Sequence, residues 1–378
     1  MKQVPYYPSF RKNLYPFLFS LFAVIVLVQA ATGQQKGTDV FKADYIKKTM
    51  LAVTGWQLKN PKHTPTDWTN GAFYAGVVAA YNTTKSASIL DSLNALGERT
   101  GWQPGRRYDH ADDIAISQTY IDLYRIKKDQ QKIQATIDTV QRMRNVPGRE
   151  VQQHGITWWW CDALFMAPPT LAKLGVTLKD PSYFTLNDTL FKQTYNLLYN
   201  KEQHLFARDA SYLINQQGEG KREKNGQLIF WSRGNGWVMG GLVKLLQELP
   251  ANHPTRNFYL TIYREMAQKI ASLQQADGLW RASLLDPDSY PGGEGSGTGF
   301  YCYALAWGIN KGMLNKAQYL PVVRKAWTGL TTLISPEGRV GWVQPIGGDP
   351  QKNFSEESWE VYGAGAFLLA GSEVIKLK

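Results

Sequence analysis

The 378-residue sequence has little histidine and little cysteine, five of the first and two of the second. So few His exclude an enzyme built on a His-clustered metal centre, and His110 and His154 are not at metal-ligand spacing. Cys161 and Cys302 are too few and too far apart for a zinc framework, and could form at most one bridge. No cofactor or metal is therefore expected. Both Cys fall within or beside apolar helical segments, where buried free thiols are the expected state. Disorder is excluded for most of the chain, because 43% of the residues are apolar and can fill a sizeable core.

The net charge depends on the N-terminus. Lys2, Arg11 and Lys12 precede an uncharged stretch that is apolar over 14–28 and ends in Val28-Gln29-Ala30-Ala31. This is the pattern of a secretory signal peptide, expected over residues 1–30, leaving 31–378 as a single exported domain with a periplasmic or secreted location. The apolar run is short for a membrane span, so no stable membrane partner is expected after cleavage. The whole chain carries 42 Lys and Arg against 31 Asp and Glu, a formal +11. Cleavage removes three positive charges and no negative one, leaving +8. A basic, exported chain whose Lys and Arg are spread out, with no reader motif, argues against nucleic acid and agrees with a polyanionic substrate.

Aromatic residues and glycine are abundant, with 13 Trp, 20 Tyr and 34 Gly. Two kinds of helix alternate. Polar, amphipathic segments at 40–53, 86–97, 127–144, 183–199, 255–275 and 317–334 show apolar residues at three and four spacing, as in Ile133, Ile137, Val140 and Met143. Segments apolar on nearly every side, rich in small residues, lie at 71–81, 113–124, 163–174, 236–249, 299–309 and 363–375. A helix apolar all round belongs in a core. Six alternations predict an all-α fold, an (α/α)6 barrel of six inner helices wrapped by six outer ones. Strand signals are few, at 205–207 and 227–231, and could pair locally.

A loop dense in Trp, Gly, Asp and Arg precedes each inner segment: TDWTN around Trp68, YDHADD around His110, WWWCD ending at Asp162, FWSRGNGW with Arg233 and Trp237, EGSGT, and SWEVY. Parallel inner helices would bring these loops to one end of the toroid. Indole faces pack on the apolar faces of sugar rings while carboxylates and amides take the hydroxyls, so carbohydrate is the expected ligand. Asp162 follows three Trp and a Cys at a helix start, where burial among indoles raises its pKa and the helix N-terminus lowers it. A carboxyl kept protonated in this way suits acid catalysis on a glycoside. Of the neighbours Asp112 and Asp113, one caps the helix and the other faces the cleft, and the spacing does not say which. Asp67, Asp209 and Glu360 read more readily as caps or ion-pair partners. The fork of Arg233 suits a bidentate carboxylate, which points to an acidic sugar, or equally a core Asp.

The segments TDWTNGAFYAG, YDHADDIAISQTYIDLY, WWCDALFMAPP, FWSRGNGWVMGGL, EGSGTGFYCYALAWGI and YGAGAFLLAGSE resemble the unsaturated rhamnogalacturonyl hydrolases of glycoside hydrolase family 105, and more distantly the unsaturated glucuronyl hydrolases of family 88. The resemblance runs from about Trp56 to the C-terminus and implies the six-fold α/α barrel. It implies removal of a 4,5-unsaturated uronic acid from the non-reducing end of lyase-generated oligosaccharides, by hydration of the vinyl ether double bond. On this resemblance Asp162 is the proton donor and Asp112, with Asp113 as the close alternative, the assisting acid. Arg233 and Trp237 match the family's substrate-contacting Arg and stacking Trp, Trp160 a further wall, and Trp68 and His110 stand in the same loops. One departure concerns a family His, in whose place this chain has Leu205-Phe206-Ala207-Arg208-Asp209, with Arg208 as the stand-in. The expected partner is an acidic oligosaccharide, most simply from rhamnogalacturonan. The competing readings are the same chemistry on glycosaminoglycan or ulvan fragments, an inverting glycosidase, and a glycan-binding toroid without catalysis.

Overall fold

Residues 39–146 and 153–377 are described by a computed structural model. The leader expected over 1–30 lies outside them. Among the described residues the outer helices are α1 (Ala43–Lys59), α3 (Ala87–Thr100), α5 (Gln131–Asn145), α8 (Ser182–Leu198), α10 (Arg256–Ser272) and α12 (Lys316–Thr332). Between them lie α2 (Trp68–Thr84), a 3-10 turn (Ala111–Ile114) leading into α4 (Ser117–Ile126), α6 (Ala163–Met166) with α7 (Pro168–Leu178), α9 (Ser232–Glu248), α11 (Gly295–Asn310) and α13 (Val361–Val374). The third inner position is broken because Pro168 and Pro169 supply no backbone donor to the turn before them; Pro168 instead opens α7, where its N–H would be unused.

The inner helices close a ring. α2 touches α4, α4 touches α7, α6 and α7 touch α9, α9 touches α11, α11 touches α13, and α13 returns to α2. Each outer helix packs on the inner ones beside it, as α1 does on α13 and α2, and α12 on α11 and α13. Burial follows the sequence pattern. In α9 every residue from Ser232 to Leu246 is buried, whereas α5 buries one face carrying Ile133, Ile137, Val140 and Met143. The fold is the (α/α)6 barrel expected from the alternation.

Two expectations change in detail. Three inner helices, α2, α9 and α11, begin three or four residues earlier than the apolar runs suggest, so Ser232-Arg233-Gly234-Asn235-Gly236 and Gly295-Ser296-Gly297-Thr298 are helical turns and not loops. Their composition has loop propensity, but tertiary packing overrides it: a Cβ on Gly236 would lie 3.1 Å from the Gly297 Cα. The hairpin forms between Tyr199–Asn200 and Leu205–Phe206, antiparallel, while 227–231 makes only isolated bridges, Leu228 with Arg222 and Trp231 with Ser283. Cys161 and Cys302 are buried and free.

The seam between α2 and α13 is a backbone contact. A Cβ on Gly76 would stand 2.4 Å from the Gly365 carbonyl oxygen, and one on Gly365 would stand 2.5 Å from the Ala72 carbonyl oxygen. Backbone atoms on both sides cannot rotate away. Gly365→Ala is expected to destabilise the protein by about 2 kcal/mol, overpacking outweighing the gain in helix propensity. Gly55→Ala in α1, where a Cβ meets nothing within 4 Å, is expected to gain about 0.5–1 kcal/mol. Urea unfolding of the two variants checks both signs.

Candidate active site

The first turns of the inner helices meet at one end of the ring. Trp68, which opens α2, stacks on Tyr362 of α13 at 5.4 Å and meets Trp237 of α9 edge-on at 5.9 Å. The Arg233 guanidinium lies 4.5 Å from the Trp231 ring and 4.8 Å from the Tyr362 ring. Glu294, just before α11, accepts from the Ser296, Gly297 and Gln344 amides, and Tyr362 donates its hydroxyl to the Gln344 carbonyl at 2.7 Å. The inner helices therefore run parallel, with their positive ends together.

Arg107 sets Asp113 apart from Asp112 by its hydrogen bonds. The Asp113 carboxylate accepts from the Arg107 amide (2.8 Å), Nε (3.0 Å) and Nη2 (2.6 Å), which occupies it as a structural brace. Asp112, free of that brace, lines an open cleft of about 960 Å³ with Asp67, Trp68, Gln103 and Arg106, and the Arg107–Asp113 pair lines it too. Its carboxyl pKa is pushed up to about 8, chiefly by burial and next by the charge of Asp162, with Arg107 opposing. His110 caps the 3-10 turn, its Nδ1 accepting from the Asp112 amide at 3.3 Å, and its ring packs 4.7 Å from Trp160. Burial and then Arg107 push its pKa down to about 4, so the imidazole is neutral at physiological pH.

Asp162 stands immediately before α6 but makes no side-chain capping bond, unlike Asp67, which caps α2 through the Thr69 amide at 2.9 Å. Its Oδ2 accepts from Cys161 Sγ at 3.5 Å and lies 3.9 Å from Arg208 Nε. Burial raises its pKa, while the nearby Arg208 and Arg233 pull it down. Arg208 is held by Asp209 (2.6 Å) and lies over Trp159 at 5.5 Å. The strap from 160 to 162 is fixed to 208–209 by the Cys161 amide on the Arg208 carbonyl (2.8 Å). Arg208 thus lies beside the Asp162 carboxyl. Glu360 pairs with Lys62 and His63, and Asp209 with Arg208, as ion-pair partners.

Arg233 and Trp237 sit differently from the sequence expectation. Arg233 is 0% exposed, and its two terminal nitrogens donate to the Gln344 and Pro345 carbonyls. Its fork holds the 344–345 main chain in place of a free sugar carboxylate or a core Asp, although its charge still reaches Asp162. Trp237 is also 0% exposed and is packed by Phe165 and Phe300 beneath Trp68. Trp160 is buried against His110 and Trp159. Trp68 is half-buried and borders the cleft. The sequence reading missed Arg107, Trp159 and the 343–345 segment. An Arg six residues before Asp113 was a weak signal for the first; nothing local marked the third.

Burial raises the pKa of both carboxyls, and the charge of Asp162 raises that of Asp112 further, so ionising both in one site is costly and a proton is retained near neutral pH beside a basic side chain. This suits proton delivery to a bound acidic sugar.

Comparison with known proteins gives the family. The profile of Glycosyl Hydrolase Family 88 matches residues 43–378. A protein of Formosa agariphila (strain DSM 15362 / KCTC 12365 / LMG 23005 / KMM 3901 / M-2Alg 35-1), named unsaturated 3S-rhamnoglycuronyl hydrolase, is 42% identical over 344 residues, which are 88% of this chain and 91% of the relative. The solved structure of a glycosyl hydrolase family 88 protein from Bacteroides vulgatus superposes with a TM-score of 0.82 at 30% identity, over 89% of this chain and 100% of the other. Another, named polysaccharide lyase, gives 0.81 at 32% identity over 88% of this chain and 97% of the other.

The raised Asp112 pKa has a signature in stability. A carboxyl whose folded pKa exceeds its unfolded value favours the fold while protonated; that contribution is whole below about pH 4 and is lost as pH rises towards about 8. Asp112→Asn is expected to be more stable than the parent at pH 7 to 8, and the difference to close below pH 4, in urea unfolding across pH.

Proposed function

The chain belongs to Glycosyl Hydrolase Family 88 and is a glycoside hydrolase; from that premise we propose that it removes a 4,5-unsaturated uronic acid from the non-reducing end of oligosaccharides made by polysaccharide lyases. The observation that carries this reading is the electrostatically coupled Asp112 and Asp162 pair with Arg208 beside Asp162. The protonated Asp162 gives its proton to C4 of the vinyl ether, forming the C4–H bond and leaving positive charge at C5 and the ring oxygen. Water adds at C5, and its proton passes to the Asp162 carboxylate, restoring the acid. The hemiketal then opens at the C5–ring oxygen bond to a ketone, and C1, now a hemiacetal, releases the rest of the chain. Asp112, the assisting acid, is held neutral by burial and so adds no negative charge beside Asp162. Arg208 takes the uronate carboxylate and limits how far the Asp162 pKa rises. Trp68 and Trp159 offer ring faces to the sugars.

A uronate linked to rhamnose is the substrate class we assign, shared by the rhamnogalacturonan fragments expected from the sequence and by the name of the Formosa relative. Lyase-generated rhamnogalacturonan and sulfated rhamnoglycuronan oligosaccharides are to be compared, with glycosaminoglycan products as the contrast. Following the ultraviolet absorbance of the conjugated double bond tests the chemistry. Hydration lowers it, whereas the elimination implied by the name of the lyase neighbour would raise it in an intact polysaccharide. Asp162→Asn is expected to reduce turnover by about 10²- to 10⁴-fold with an unchanged circular dichroism spectrum; retained turnover would refute the role. We further assign export to the leader at 1–30. Mass spectrometry of the mature N-terminus is expected to find the basic segment with Lys2, Arg11 and Lys12 removed.

A further inference from the structure

The end of the ring away from the carboxyl pair carries a second cleft. It measures about 470 Å³ and opens between the last turns of α2, α4, α9 and α13, with Lys173 of α7 in its wall. Most of the charge there is paired. Lys173 Nζ reaches Asp122 at 2.5 Å and Glu248 at 3.3 Å, Arg125 holds Glu248 through both terminal nitrogens at 2.8 and 2.9 Å, and Lys376 holds Glu373 at 2.7 Å. Three cations meet three carboxylates. A fourth cation, Lys244 of α9, lines the same cleft at 7% exposure and has no hydrogen bond or ion pair among the described residues.

An ammonium shielded from water and given no counter-charge is costly to keep. Burial, and next the like charge of Lys173, lower the Lys244 pKa to about 8, with Asp122 and Glu248 only partly compensating. The carbonyl ends of the inner helices attract cations to this region, yet Lys244 bonds to none of them. What the cleft lacks is one negative charge. Its volume exceeds that of an inorganic oxyanion and is ample for a monosaccharide acid, and Asn82, Gln247 and Ser372 supply neutral polar groups around it.

We propose that this cleft is a binding site, separate from the carboxyl pair, for a small anion whose carboxylate or sulfate oxygens pair with the Lys244 ammonium. The anion completes the charge balance left by the three internal pairs.

Isothermal titration of the intact protein with sodium sulfate and with sodium glucuronate, at constant ionic strength, tests the assignment. At least one probe is expected to bind saturably, with affinity about tenfold or more weaker in Lys244→Met and largely kept in Lys244→Arg. Turnover of unsaturated oligosaccharide by Lys244→Met is expected to stay within about twofold of the parent, since the lysine is remote from the reacting atoms. Binding of sulfate alone would identify an inorganic or sulfate-ester ligand, and of glucuronate alone a sugar carboxylate. Absence of saturable binding, equal affinity in parent and Lys244→Met, or loss of turnover in a folded Lys244→Met would overturn the proposal. Should Lys244→Met fail to fold, protection of Lys244 in the parent from amine acylation by the bound probe decides, and no protection overturns it.

Discussion

The main-chain contact between α2 and α13 is the constraint on which the rest of the molecule depends. These helices are far apart in sequence, and their approach at Gly76 and Gly365 leaves no space for side chains. By joining the last inner helix to the first, it turns a row of six inner positions into a closed ring. Closure sets the parallel helix starts facing one another across a small space. Only then can Trp68, Asp112, Asp162, Arg233 and Tyr362, spread over almost 300 residues of chain, influence one another.

Within that space burial and charge pull in opposite directions. Burial favours the neutral carboxyl at both Asp112 and Asp162, and the charge of Asp162 raises the proton affinity of Asp112 further, while Arg208 and Arg233 favour the ionised form of Asp162. An acid poised in this way can both lose and regain a proton during one turnover. Asp113, one residue from Asp112, is instead taken up by three hydrogen bonds from Arg107. The site therefore strains the fold electrostatically, and the surrounding ring of aromatic contacts holds it in place.

The two ends of the barrel are unlike in charge for a reason that lies in the helices themselves. Asp112 and Asp162 stand where the inner helices start and Lys244 towards the end of one, each opposite the partial charge of the nearer helix terminus. At the starts the positive ends oppose the effect of burial on Asp162. At the far end Arg125, Lys173 and Lys376 are neutralised by carboxylates as well as by the dipoles, whereas Lys244 has only the field and no bonded partner.

The alternation of polar and apolar helices was legible in the sequence because burial on one side and burial on all sides leave different periodicities. That pattern determined the barrel and the order of inner and outer helices, and the Trp- and Asp-rich starts pointed to the end that bears the site. Asp162 could be singled out because its aromatic neighbours adjoin it in sequence. Choosing Asp112 over Asp113 required Arg107 to be seen folding back onto one of them, a matter of loop geometry. The Ser-Arg-Gly-Asn-Gly segment has the local propensity of a loop, and only packing between the starts of α9 and α11 makes it helical and turns the Arg233 fork inward to the main chain. Lys244 gave no sequence signal, since the counter-charges that its neighbours have and it lacks come from helices that meet only in the closed ring. Residue pattern thus determined the class of fold and where chemistry resides, while distances between remote side chains, and so their protonation and partners, were decided by tertiary structure alone.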